Sequence, residues 1–206
     1  HRGGLFSSHY PGDVVTSNAT AGRTLSGVVQ ATGVQGLFVL GGQDIVVTVS
    51  ESLAVNLTLT STTGDVDVVV PAGVVVASGG IRATVTTGSV HLTTTDAVFD
   101  RNAALAGQST TGSVAIAITQ TVAQARTVGV TGTSTTGSVT FTFNRGNGIA
   151  AQVTSTVTTG SVNPDTSKYT AASGSVFYAP DQATYDGATM QFRVTLSSTT
   201  GSINLR

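Results

Sequence analysis

Serine is abundant in this chain, so Ser-His-Asp catalysis is the first chemistry to test. No Gly-x-Ser-x-Gly elbow occurs. The histidines are His1, His9 and His91. His91 falls three residues after Gly88, among threonines, where an outward strand residue belongs. Asp65 and Asp67 alternate on one strand face, about 7 Å apart. Glycoside chemistry uses two carboxyls about 5–10 Å apart, but the same pattern is what a solvent face shows beside Val66 and Val68. Asp96 with Asp100, and Asp181 with Asp186, carry oxygen ligands of the kind calcium takes, without EF-hand or nonapeptide spacing. His1 with His9 or His91 would chelate copper through amine and imidazole; a terminal histidine with no such role is the plainer reading. Lys168, the one lysine, is the only candidate for an isopeptide crosslink. No glycine-rich phosphate loop opens a helix. No residue is therefore assigned a catalytic, cofactor-binding or metal role, and no enzyme is expected.

Composition narrows the classes further. Charged residues make up 9% of the 206-residue chain, against about 25% in ordinary globular proteins. A formal charge of −1 with scattered arginines leaves no basic footprint for nucleic acid or anionic lipid. With no cysteine there is no disulfide framework, thiolate metal site or thiol nucleophile. Apolar content of 39% is too high for a disordered chain. Abundant Thr and Val point to β structure. The longest apolar stretch, Val66 to Ala77, is interrupted by Asp67, Pro71 and Gly73, so no helical membrane span is expected. One Glu, one Lys and two Asn-x-Thr sequons, at Asn18 and Asn56, favour a secreted, cell-surface protein. Those asparagines are the candidate glycosylation sites. The chain starts at His1, and a signal segment is expected to be absent already.

The elements that would position any side chain come from a repeat. Thr62-Thr63-Gly64-Asp65-Val66 returns as Thr86-Thr87-Gly88-Ser89-Val90, then at Gly112, Gly137 and Gly160, in degenerate form at Gly174, and at Gly201. Successive glycines lie 24, 24, 25, 23, 14 and 27 residues apart. After each Gly, positions +2 and +4 are apolar: Val66 and Val68, Val90 and Leu92, Val114 and Ile116, Val139 and Phe141. Pro164 breaks the pattern. Before each Gly the alternation resumes, as in Val55, Leu57 and Leu59. Period two is a half-buried strand, so Thr-Thr-Gly-Ser is a bend between two strands, with glycine taking a positive φ. One unit of about 24 residues thus holds two strands. No segment has a convincing helical period; Thr119 to Arg126 comes nearest. The expected fold is all-β, a β-solenoid of stacked two-strand units; the alternative is an antiparallel sandwich or jelly roll.

These Thr-Thr-Gly-Ser-Val units, with the preceding Val70-Pro71-Ala72-Gly73 element, resemble the bacterial and archaeal putative-adhesin domain family. The resemblance runs from about Leu37 to Arg206. It implies a β-helix-like solenoid and brings no catalytic residues with it.

Residues 1–36 lie outside the repeat and residues 37–206 form the repeat domain. The first segment reads as a cap, or as a strand donated to a neighbouring subunit through Leu5, Phe6, Val14, Val15, Val28 or Val29. Natural β proteins guard sheet edges with Lys, inward charges or Pro. This chain has one Lys and four Pro. The expected function is structural: a subunit of an extracellular filament or surface layer, with copies of itself as partners. The alternative is a monomeric adhesin that binds glycan or another surface. Absence of Trp and a count of four Tyr favour the structural reading, since sugar sites use aromatic platforms.

Overall fold

The computed structural model describes residues 54–206 and, ahead of them, the backbones of four strands: β1 (Val14–Ser17), β2 (Leu25–Val29), β3 (Val34–Leu40) and β4 (Ile45–Val49). The rest follow as β5 (Ala54–Thr63), β6 (Val66–Val70), β7 (Val75–Thr87), β8 (Val90–Thr95), β9 (Val98–Phe99), β10 (Ala104–Thr111), β11 (Val114–Gln120), β12 (Arg126–Thr136), β13 (Val139–Arg145), β14 (Ile149–Thr159), β15 (Val162–Pro164), β16 (Thr170–Ala171), β17 (Val176–Ala179), the single-turn helix α1 (Gln182–Asp186), β18 (Met190–Thr200) and β19 (Ile203–Leu205).

The chain is all-β, in two sheets. Sheet one runs β1-β3-β5-β7-β10-β12-β18-β14-β17-β16, with β9 beside β7. Sheet two runs β15-β19-β13-β11-β8-β6-β4-β2. Every pairing is parallel except β14 with β17 and β16 with β17. The antiparallel linkage of a sandwich or jelly roll is therefore not how successive units join. The same parallel ladders take in β1 to β4, of which β1 and β2 precede residue 37 and β3 spans it.

Each Thr-Thr-Gly-Ser step carries the chain from sheet one to sheet two. Thr63, Thr87, Thr111, Thr136, Thr200 and Thr159 stand in one register across six strands. The following glycine N–H donates to the threonine carbonyl of the next strand, at 2.8–2.9 Å in five successive steps from Gly64 to Gly201. These glycines have φ between 116° and 144°. A Cβ on Gly88, Gly112, Gly137, Gly160 or Gly201 would overlap the carbonyl of the glycine stacked against it. Sterics of the corner, and not only backbone conformation, thus demand glycine.

Alternation places the apolar set between the sheets. Leu57, Ile81, Leu105, Val130, Val194 and Val153 form one buried row of sheet one. Val66, Val90, Val114, Val139 and Ile203 answer from sheet two. At one end the interior is aromatic. The Phe192 ring meets Phe99 edge-on at 5.8 Å and Phe143 at 5.3 Å, and Phe143 stacks with Phe141 at 5.8 Å. Such edge and offset contacts suit the ring quadrupole.

Chain order and spatial order part at the C-terminus. β18 lies between β12 and β14, and β19 between β13 and β15. The last repeat is inserted into the stack instead of ending it. The end is covered by other pieces: β17 runs antiparallel along β14, and α1 packs there through Ala150, Tyr178 and Tyr185. The degenerate repeat at Gly174 is accordingly not a corner. It is the turn of the β16–β17 hairpin, with Ala172 N–H donating to Val176 O at 3.0 Å. Pro164 sits in the edge strand β15, where its missing N–H costs little. Thr119 to Arg126, the nearest helical candidate, is the end of β11, a loop and the first residue of β12; α1 forms instead where Asp181 caps a turn closed by Gly187.

Candidate functional site

The side chains that could do chemistry are engaged one by one, some across neighbouring strands and some within their own turns. On the outer face of sheet two, Asp67 and His91 are register partners, and Asp67 Oδ1 meets His91 Nδ1 at 2.6 Å. Both are roughly half exposed. The next residue in that row is Ala115, which separates the pair from Thr140, Asn204 and Asn163 further along it. Asp65 accepts a hydrogen bond from Ser89 N–H at 2.6 Å across the corner. Asp65 and Asp67 therefore face Ser89 and His91 on the β8 side, where no second carboxylate stands opposite.

Of the candidate calcium ligands, Asp96 reaches across to the next unit, while Asp100 and Asp181 bond within their own turns. Asp96, in a left-handed turn with φ 41°, accepts from Thr121 N–H at 2.5 Å and from its hydroxyl at 2.9 Å. The Thr121 N–H is the main reason its carboxyl titrates below the ordinary range. Asp100 accepts from Arg101 N–H at 2.7 Å. Asp181 caps α1 through Thr184 N–H at 2.9 Å and its hydroxyl at 2.8 Å, which lower its carboxyl in turn. Asp186 stands at the other end of that helix. Among the described residues no three His, Asp or Glu side chains come together. Lys168 is exposed in the turn after β15, its backbone N–H donating to Asp165 O at 3.0 Å. Burial pushes the Tyr169 phenol well above its ordinary value.

Several expected sites fall as follows. Val14 and Val15 lie in β1, paired with Gln35 and Gly36, and Val28 and Val29 in β2, paired with Thr48 and Val49 of the same chain. Leu5, Phe6, His1, His9 and Asn18 lie outside the described residues. Asn56 is half-buried in β5, and the amide nitrogen that a glycan would occupy donates to Ser78 O at 3.2 Å.

What the strands display instead is hydroxyl. On the outer face of sheet one, Thr131, Thr133 and Thr135 of β12 stand beside Thr195, Ser197 and Thr199 of β18, then Thr154, Thr156 and Thr158 of β14. Arg82 and Gln108 interrupt the same rows on β7 and β10, joined at 3.4 Å. The corner threonines from Thr62 to Thr200 are all exposed. A second hydroxyl row is internal. Ser109, Ser134 and Ser198 are buried, and each donates to the carbonyl of a corner glycine on the neighbouring strand: Gly88 at 2.7 Å, Gly112 at 2.8 Å and Gly137 at 2.9 Å. Reading strands by apolar alternation misses this row because serine there looks like a break. Its signal is the fixed place three residues before glycine, where Ser and Val exchange (Val85, Val157). No aromatic side chain is exposed among the described residues: Tyr169, Tyr178, Tyr185 and every described Phe are buried.

No family model matches the chain, and no curated protein matches it. Its fold is similar to the crystal structure of a putative cell adhesion protein from Clostridium sporogenes, with a TM-score of 0.47 and 13% sequence identity, over 61% of this chain and 55% of that one. The chain thus spans about half the length of that protein. So distant a likeness bears on neither family nor activity.

Proposed function

We propose that the chain is a structural, non-catalytic protein of the cell surface, a β-solenoid subunit that assembles with its own kind into a filament or surface layer. The observation that carries this reading is the asymmetry of the stack. Its C-terminal end is covered by the β16–β17 hairpin and α1, and its sheet-two edge ends in a three-residue strand with Pro164. At the other end, among the described residues, β1 pairs only with β3 and β2 only with β4. A parallel sheet edge is where another strand adds. The polar groups support the same reading, since among the described residues they bond across strands or within turns and build no convergent metal cluster. The extracellular setting rests on the scarcity of Lys and Glu.

A monomeric glycan-binding adhesin is the second reading, favoured by the exposed threonine rows. The buried aromatics weigh against it, because sugar faces stack on exposed rings. Negative-stain electron microscopy of the full chain beside a version lacking residues 1–24 tests the choice. Filaments or sheets from the full chain, lost on truncation, are expected. Monodisperse monomers from both would overturn the assembly reading, and binding on a glycan array would then favour the adhesin.

A further inference from the structure

The inserted C-terminal repeat is the least local element of the fold. β12 and β14 are joined through β13 and a short turn, yet they do not pair with each other. β18 pairs with both along most of its length, from Met190 to Thr200. β19 likewise bridges β13 and β15. The segment inserts Met190, Phe192, Val194, Leu196, Ile203 and Leu205 into the interior, each at most 2% exposed. It also completes the corner ladder, with Gly137 N–H donating to Thr200 O and Gly201 N–H to Thr159 O. Residues 190–205 thus fill a slot that pairs with a ladder on both sides and is floored by Phe99 and Phe143.

From this juxtaposition we infer that the slot is an interaction site for a second copy of the chain: residues 190–205 of one molecule fill the gap between β12–β13 and β14–β15 of another. Every contact made within one chain is available between two, because the donor and the slot are identical in each copy. Only the link differs, and Gly187 and Thr189, just before β18, are exposed. The rest of the link keeps its place, since β17 stays on β14 and α1 on β17. Reciprocal exchange closes a dimer, and one-way exchange leaves an open chain of copies. Exchange deepens the assembly reading above by naming the donated segment as C-terminal. The two remain separable, because addition at the β1–β2 edge needs no exchange.

The absence of native cysteine makes the test direct. Thr133 on β12 and Ser197 on β18 are register partners on the outer face. Adjacent strands lie about 4.8 Å apart, within the Cα separation a disulfide spans. Full-length Thr133→Cys and Ser197→Cys chains are unfolded together, refolded at several concentrations in a glutathione buffer, and analysed by non-reducing gel and mass spectrometry. The expected product is a covalent dimer containing one of each. Its share should rise about tenfold for a tenfold rise in concentration while self-closure dominates. Thr60→Cys on the distant strand β5, mixed with Ser197→Cys, supplies the background. The double variant Thr133→Cys/Ser197→Cys should close its own disulfide and lose exchange. A mixed dimer no more abundant than the Thr60→Cys background, beside a double variant that closes, overturns the inference. A double variant that fails to close overturns it too, because the register that defines the slot is then wrong.

Discussion

Phe192→Ala is the sharpest test of the packing described here. Phe192 is fully buried near the start of the inserted strand, with the Phe99 ring at 5.8 Å and the Phe143 ring at 5.3 Å. Truncation loses the transfer free energy of the ring and leaves a cavity that flanking strands, held in parallel ladders on both sides, close poorly. Buried Phe→Ala changes cost about 3–5 kcal/mol, and loss of two edge contacts, each worth about 0.5–1.5 kcal/mol beyond area, puts this site toward the upper end. Urea unfolding followed by circular dichroism reads the change as a lower midpoint at similar slope. For a chain of this size, about 2–4 °C is lost per kcal/mol, so the melting temperature should drop by roughly 6–20 °C. Phe192→Leu, which keeps most of the volume, should lose much less. A Phe192→Ala unfolding free energy within about 1 kcal/mol of the parent would refute the placement of β18 in the interior between β12 and β14.

Two further outcomes follow from the corner and the carboxylates. Gly137→Ala should destabilise by about 1–3 kcal/mol, as a positive-φ residue under steric pressure does, because its Cβ overlaps the Gly112 carbonyl. Gly174→Ala, in the same sequence motif, should cost less, since its Cβ meets nothing within 4 Å; thermal melts of the two compare them. Asp96 has its carboxyl lowered by Thr121. A folded value below the unfolded one means its stabilisation is complete above 3.8, the ordinary value, and is lost as pH falls through the folded value. Stability of the Asp96→Asn variant, measured from neutral pH to pH 2, should therefore fall less steeply in the acid range, and an unchanged acid slope would contradict the turn geometry.

Much of the fold was legible because its local rules repeat. A glycine every two dozen residues, with valine two and four positions later, leaves little choice but a bend followed by a half-buried strand. The burial of Val66, Val90, Val114, Val139 and Ile203 follows from that period alone. His91 is another legible case: its odd position after Gly88 marks it as outward, and it is half exposed. Its partner was not legible, since Asp67 lies 24 residues away and meets it only through strand register. The same limit applies to Asp96, which looks like a possible ion ligand in sequence and is a turn staple to Thr121 in space. Asn56 and the buried serines show the limit too, because each hydrogen-bonds to a neighbouring strand that local pattern does not identify.

By itself the sequence determined an all-β chain, the glycine corners, the inward valines and the outward threonines, since each depends on residues a few positions apart. Tertiary structure decided which ladder each repeat joins. The copies at Gly160 and Gly201 present nearly the same edge to a neighbour, so short-range pattern cannot rank their order in the stack. The longer path from β15 through the hairpin and α1 returns the last repeat to the gap beside β12, where Phe192 meets Phe99 and Phe143. That same path turns the copy at Gly174 into a hairpin tip, because it runs where no parallel neighbour is left to receive a corner.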